Sequence, residues 1–180
     1  MTHSLHHAGC GCLELLSRRR ALGFGLAAAA TAATMAAPAL ALDKGYEAML
    51  VKCIDPRFTT NTWAYMSTRG WQNLYSQFNI AGGPIGVVAP VFADWQKTYW
   101  DNLKITYDLH QVKRVVAITH RDCGAAVVAY GDRIKTDKAF ETKTHAGALH
   151  QFRDEVVKRY PGMKVELGIM DLNGAVEVVA

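Results

Sequence analysis

From residue 48 onward, short apolar runs alternate with longer stretches whose apolar positions recur at helical spacing. Short runs rich in β-branched residues are typical of strands that are buried on both faces of a parallel sheet. The apolar runs predict strands at 48–53, 112–119 and 164–172. The helical spacing predicts helices at 63–78, 91–109, 124–130 and 144–160.

Turn residues separate these predicted elements and add one more strand. Asp55-Pro56 ends the first strand, and Pro161-Gly162 ends the last helix. Asn173-Gly174 is a strong hairpin signal, so the chain should return as a strand at 175–179. Strands that alternate with helices predict an α/β fold with a mainly parallel β-sheet flanked by helices. The hairpin gives that sheet an antiparallel C-terminal edge.

Length and composition limit the organisation of the chain. It has 180 residues, 50% of them hydrophobic, which fits one globular domain with a substantial core. The formal net charge is +4, and three consecutive arginines at 18–20 supply much of it. We therefore expect no nucleic-acid partner.

The first 41 residues have the features of an export signal. Ser17-Arg18-Arg19-Arg20 precedes an alanine-rich apolar run at 21–37, and Ala39-Leu40-Ala41 is a small-residue cleavage pattern. The paired arginines resemble a twin-arginine signal, whose partner is the twin-arginine export machinery. We expect a signal peptide at 1–41, a domain at 42–180 and an exported, periplasmic protein. A leader that is retained as an anchor is the alternative.

Two polar motifs follow the first two predicted strands. Cys53-Ile54-Asp55-Pro56-Arg57 comes after one, and His120-Arg121-Asp122-Cys123-Gly124 comes after the other. Chemistry in such folds gathers beyond the carboxyl ends of the strands. Thiolates and imidazoles favour zinc, and three protein ligands with one open position are typical of catalytic zinc. A disulfide between Cys53 and Cys123 is the alternative in an oxidising compartment.

The two motifs together resemble the signature of the β-carbonic anhydrases. Cys-x-Asp-x-Arg is followed some 65 residues later by His-x-x-Cys-Gly, and both have counterparts in that family. The segment 79–82, Asn-Ile-Ala-Gly, resembles the Arg-Asn-Ala-Gly stretch that lies between them in the family. The ending 168–174 is similar to the family's last hairpin.

The resemblance implies a zinc enzyme that hydrates carbon dioxide reversibly to bicarbonate and a proton, because the metal acidifies a water molecule. It implies one Zn²⁺ per chain, with Cys53, His120 and Cys123 as ligands. Asp55 and Arg57 would form the catalytic dyad, and the backbone of Gly124 would lie close to the substrate. It also implies a homodimer or a higher homo-oligomer.

Other interpretations keep the metal but change the function. Hydrolysis of a sulfur analogue, carbonyl sulfide or carbon disulfide, would use the same ligands. A non-catalytic zinc-binding protein on the same scaffold would keep the ligands and lose proton transfer. The remaining histidines, His110, His145 and His150, are expected at the surface or in helices.

Overall fold

The computed structural model describes residues 45–180, so the signal peptide expected at 1–41 lies outside the described residues. Five strands and six helices follow one another along the described chain. They are β1 (Ala48–Lys52), α1 (Thr59–Thr68), β2 (Tyr75–Asn79), α2 (Pro84–Val88), α3 (Ala93–His110), β3 (Arg114–His120), α4 (Gly124–Tyr130), α5 (Arg133–Thr136), α6 (Lys138–Arg159), β4 (Lys164–Met170) and β5 (Val176–Val179). Two short 3₁₀ turns, Pro56–Phe58 and Pro90–Phe92, complete the set.

The strands form one sheet in the order β2-β1-β3-β4-β5. The first three pairings are parallel, with Val51 beside Ala117 and Ala117 beside Leu167. Strands β4 and β5 pair antiparallel, with Met170 beside Val176. The predicted fold class, a mainly parallel sheet flanked by helices with an antiparallel C-terminal edge, is confirmed.

The prediction of one helix over 63–78 is wrong. Helix α1 ends at Thr68, and residues 75–79 form the edge strand β2 instead. Gly70, with a φ of 75°, lies in the turn after the helix. No residue of this edge strand is fully buried, and only Tyr75 and Phe78 pack against the two cores, so the strand lacks the continuous apolar run of a central strand. Helix α6 begins at Lys138, before the predicted 144, because Asp137 caps it by accepting from the Phe140 backbone N–H (2.9 Å).

The sheet is covered on both faces. Met49 and Val51 of β1 point into the larger core, which includes Tyr99 and Phe152, whereas Leu50 points into a smaller core on the other side. This alternation follows from the period of two along a strand. Strands β1 and β3 are buried along nearly their whole length, so the two polar motifs begin at the carboxyl ends of firmly packed strands. Within residues 45–180, no helix has the length and apolar character needed to cross a membrane.

Candidate metal centre

Cys53, His120 and Cys123 meet at the carboxyl ends of two neighbouring strands. One donor atom from each of them lies within 4.8 Å of the donor atoms of the other two, and all three residues are buried. Cys53 directly follows β1, His120 ends β3, and Cys123 immediately precedes α4. Both cysteines are free thiols, so the structure does not contain the alternative disulfide. The three residues form a possible metal site.

The ring of His120 is oriented as a metal ligand requires. Its Nδ1 lies 2.8 Å from the carbonyl oxygen of Arg121, to which it can only donate, so Nε2 carries the free lone pair. This Nε2 is buried and has no hydrogen-bond partner. The ring also packs against Phe58, with 4.2 Å between the ring centroids. A buried acceptor without a partner is costly, and a cation would satisfy it.

The two cysteines form an electrostatically coupled pair. A hydrogen bond from Cys123 lowers the pKa of Cys53, and contacts with His120 and the backbone N–H groups of Asp55 and Gly82 act in the same direction. The pKa of Cys123 is raised, because it donates to the Cys53 sulfur and is buried beside it. A divalent cation would replace this shared proton and be neutralised by two thiolates. Two sulfurs and one imidazole nitrogen are a donor set that fits zinc.

A glycine turn places a backbone donor beside the Cys53 sulfur. The N–H of Gly82 donates to Cys53 Sγ over 3.2 Å. Gly82 and Gly83 have φ values of 78° and 56°, which glycine adopts without strain. A Cβ on Gly83 would also lie 2.8 Å from the carbonyl carbon of Lys52 and 2.9 Å from the nitrogen of Cys53. In the sequence Gly82 is distinguished only as part of the segment 79–82, and its contact with the Cys53 sulfur was not predicted.

Asp55 and Arg57 form a close ion pair beside the three donors. Arg57 Nε lies 3.1 Å from each oxygen of Asp55, Nη2 lies 2.7 Å from Oδ2, and the Arg57 backbone N–H donates to Oδ1 (2.9 Å). The side-chain hydrogen bond from Arg57 is the main reason that the pKa of Asp55 falls to about 2. Asp55 Oδ2 lies 4.0 Å from His120 Nε2. A carboxylate that stays ionised near neutral pH therefore lies next to the possible metal site without belonging to the three-donor cluster.

Gly124 is the first residue of α4 and directly follows Cys123. It is exposed, and a Cβ at this position would meet no atom within 4 Å. Packing within the described chain therefore does not require glycine here. The residue leaves its backbone accessible beside a buried sulfur.

Two further acidic residues, for which no role was predicted from the sequence, belong to this region. Asp122, with a φ of 57°, accepts from Arg57 Nη1 through its carboxylate (2.7 Å). Glu141 on α6 is buried and accepts from the Asp122 backbone N–H (2.9 Å). For Asp122, the sequence signal was its place in the turn between His120 and Cys123, since Asp and Asn adopt the left-handed region more readily than most residues.

His145 occupies one of the two kinds of position expected of it, a helix, but its surroundings are unusual. It lies in α6, as expected for a helical residue, but it is completely buried and neither ring nitrogen has a hydrogen-bond partner.

Solved structures of β-carbonic anhydrases have the same fold. The β-carbonic anhydrase CafA of Aspergillus fumigatus aligns over 89% of this chain and 89% of its own, with a TM-score of 0.54 and 16% identity. A tetrameric β-carbonic anhydrase of Sordaria macrospora aligns over 90% of this chain and 96% of its own, with a TM-score of 0.51 and 16% identity. The chain thus has the β-carbonic anhydrase fold, and its Cys-His-Cys cluster is a possible metal site within that fold.

Sequence comparison adds a nearer relative. An uncharacterised protein of Rickettsia conorii is 30% identical over 131 residues, which are 73% of this chain and 70% of the relative. The chain belongs to the same family as this uncharacterised rickettsial protein. No protein-family model matches the sequence.

Proposed function

We propose that this protein is a zinc-dependent carbonic anhydrase that hydrates carbon dioxide reversibly to bicarbonate and a proton. Cys53, His120 and Cys123 would hold one Zn²⁺ per chain. The observation that carries the proposal is the ionised Asp55–Arg57 pair lying 4.0 Å from the unpartnered Nε2 of His120. Bound zinc would act as a Lewis acid and lower the pKa of a water molecule.

Asp55 would orient the attacking water. Its pKa of about 2 keeps the carboxylate ionised, so it accepts a hydrogen bond from water and directs a lone pair toward the carbon atom. Arg57 holds that carboxylate through a fork of hydrogen bonds and so keeps it outside the cluster of three donors. Both residues of the dyad then have a defined task.

A hollow that is lined in part by Ile54, the residue between Cys53 and Asp55, suits a small apolar substrate. It has a volume of about 520 Å³ and is lined mainly by apolar side chains, including Ile54, Ile80 and Trp95. Ile54 directly follows the ligand Cys53. Carbon dioxide carries no net charge and needs no ionic partner to enter such a hollow. We propose that it reaches the reacting water past the exposed backbone of Gly124.

The proposal extends to assembly and location. Homo-oligomer formation is supported by the tetrameric state of the Sordaria enzymes, which share the fold. The Arg-Arg motif and the alanine-rich run support a twin-arginine signal at 1–41, a mature domain at 42–180 and a periplasmic location.

Metal analysis and stopped-flow carbon dioxide hydration on one purified sample test the function. We expect stoichiometric zinc, two thiols that become titratable after chelation, and a hydration rate that disappears with the metal and returns with added Zn²⁺. Stoichiometric zinc without carbon dioxide hydration would contradict the proposed enzymatic activity and favour a non-catalytic zinc-binding protein. Turnover of carbonyl sulfide or carbon disulfide in place of carbon dioxide would reassign the substrate.

A further inference from the structure

Arg57 makes a second ion pair in addition to the one with Asp55. Its Nη1 donates to Asp122 Oδ2 over 2.7 Å, and its Nη2 donates to the Asp122 carbonyl oxygen over 3.1 Å. The two residues are 65 positions apart, and Asp122 lies between the ligands His120 and Cys123. One guanidinium therefore joins the loop after β1 to the loop after β3.

The hydrogen bonds of Arg57 fix the plane of its guanidinium. One edge, Nε and Nη2, faces Asp55, while Nη1 faces the carboxylate of Asp122. All three nitrogens therefore have an acceptor. Because a guanidinium is rigid and planar, the position of Asp122 decides where the Asp55 carboxylate is held.

Asp122 is itself anchored to the body of the protein. The buried Glu141 on α6 accepts from the Asp122 backbone N–H through Oε1 and from Arg121 Nη1 through Oε2, over 2.9 and 3.3 Å. Arg121 is held from its other side by Glu177 of β5 (2.7 Å). These contacts fix a loop whose Asp122 residue has a φ of 57°. The orientation of Asp122 is thus determined by helix α6 and strand β5.

We propose that Asp122 is a positioning residue that holds Arg57 and, through it, the orientation of the Asp55 carboxylate. The proposal rests on the proposed function, since it concerns the dyad of that reaction. Its physical basis is that neither ion pair holds the guanidinium firmly by itself, because the Arg57 side chain is 47% exposed and that of Asp122 is 65% exposed. Two acceptors on two different loops restrict it together, as in a small network of charges. Without Asp122, Arg57 moves toward solvent, and Asp55, already 4.0 Å from His120 Nε2, competes for the open metal position.

Two substitutions separate the side chain from the backbone. Asp122→Gly tolerates the positive φ and keeps the backbone contacts with Glu141 and Arg57, but it removes the carboxylate. Asp122→Asn keeps an acceptor of the same shape without the charge. Asp154→Asn, which changes an exposed aspartate paired with Arg153, is the matched control.

We expect Asp122→Gly to retain stoichiometric zinc and to lose about tenfold to a hundredfold in kcat/KM for carbon dioxide hydration, the usual effect of removing a residue that orients a metal site. Asp122→Asn should recover part of that loss, and Asp154→Asn should match the wild type. Wild-type kcat/KM in Asp122→Gly would overturn the proposal. Loss of zinc from Asp122→Gly, with wild-type kinetics in Asp122→Asn, would also overturn it and assign a structural role.

A readout independent of turnover is azide binding to the Co²⁺-substituted protein, followed by visible absorption. We expect azide to bind about tenfold more weakly to Asp122→Gly, because Asp55 competes for the same position. Equal azide affinity in the two proteins would contradict the role of Asp122. If the wild type binds azide but hydrates no carbon dioxide, the proposed function fails, while this measurement still decides what Asp122 does.

A double-mutant cycle shows whether Asp122 acts through Arg57. In an Arg57→Ala background, adding Asp122→Gly should leave azide affinity and kcat/KM within about twofold of the values for Arg57→Ala alone, because the residue that transmits the effect is gone. A further loss as large as that in the wild-type background would mean that Asp122 acts by another route and would overturn the proposal.

Discussion

Nε2 of His120 and Oδ2 of Asp55 lie 4.0 Å apart at the ends of neighbouring strands. The nitrogen is a buried acceptor without a partner, and the carboxylate is held by Arg57. His120 Nε2 can therefore offer a lone pair to a cation, and Asp55 Oδ2 lies beside it as a hydrogen-bond acceptor. This division between binding a metal and orienting a water underlies the first two predictions.

Asp55→Asn should separate metal binding from catalysis. The amide keeps the size of the side chain but loses its charge, and Asp55 does not belong to the three-donor cluster. We expect unchanged zinc content and a fall in kcat of about a hundredfold or more, the range typical of a lost proton acceptor. Stopped-flow hydration and metal analysis on the same preparation measure both. Full activity in this variant would show that the dyad is wrongly assigned.

Removal of the metal should destabilise the fold. With free Zn²⁺ at about 100 to 1,000 times its Kd, linkage gives roughly 3–4 kcal/mol of stabilisation, which chelation removes. We expect this loss in the free energy of urea-induced unfolding for the wild type. Cys123→Ser, which replaces one of the three proposed ligands, should start from the lower value and show no response to the chelator. An equal response in both proteins would mean that the metal binds elsewhere.

The sequence predicted the central architecture well, because β1, β3 and β4 carry continuous apolar runs bounded by turn residues. It also predicted which three side chains meet, since two motifs that follow neighbouring parallel strands must lie at one edge of the sheet. Strand β2 could not be predicted in the same way. Its two apolar side chains, Tyr75 and Phe78, are three positions apart instead of alternating, so the helical pattern before the strand extended into the same window.

The contacts that tune the candidate site were less predictable. Glu141 reaches the Asp122 backbone from a helix, and Gly82 gives its N–H to Cys53 from a turn that follows β2. Such contacts depend on backbone direction and on the packing of distant elements, and no local pattern encodes them. Asp122 lies within the motif at 120–124, but its contact with Arg57 depends on two loops, 65 residues apart in sequence, that meet only in the folded protein.

Gly124 offers a test of substrate access with little risk to the fold. An added methyl group meets no atom within 4 Å, so Gly124→Ala should fold with at least wild-type stability. If substrate passes its backbone, kcat/KM should fall about tenfold, a loss on the scale of a small misplacement at the reacting atoms.

Gly147→Ala is the matched control for this variant, because that glycine lies in α6 and also has open space around it. It should keep full activity and gain about 0.5–1 kcal/mol of stability from the higher helix propensity of alanine. If both alanine variants retain wild-type kcat/KM, Gly124 does not border the substrate path.

Gly83 should be intolerant of any side chain. Its φ of 56° disfavours one, and a Cβ would lie within 3 Å of backbone atoms of Lys52 and Cys53. We expect Gly83→Ala to lower the free energy of unfolding by about 3 kcal/mol and to weaken zinc binding, because Cys53 would have to move. Gly70→Ala has a similar φ of 75° but open space, so it isolates the cost of the φ value alone. Equal losses in the two variants would show that close packing against Cys53 is unimportant.

His145 should make the fold sensitive to acid. Burial is the main reason that its pKa falls to about 4 from the ordinary 6.5, and the positive charge of Arg121 adds to the effect. The unfolded chain takes up a proton below about pH 6.5, whereas the folded protein resists until about pH 4. Stability should therefore be constant above this window and fall by roughly 3 kcal/mol as the pH drops through it.

Urea unfolding at about pH 7 and about pH 5, with a chelator present so that zinc release does not contribute, measures this slope. His145→Leu removes the titrating ring and its two unpartnered nitrogens, so most of the loss between the two pH values should disappear. His150→Leu, on the same helix but only half-buried, should keep the wild-type slope. A wild-type slope in His145→Leu would assign the acid sensitivity to other groups.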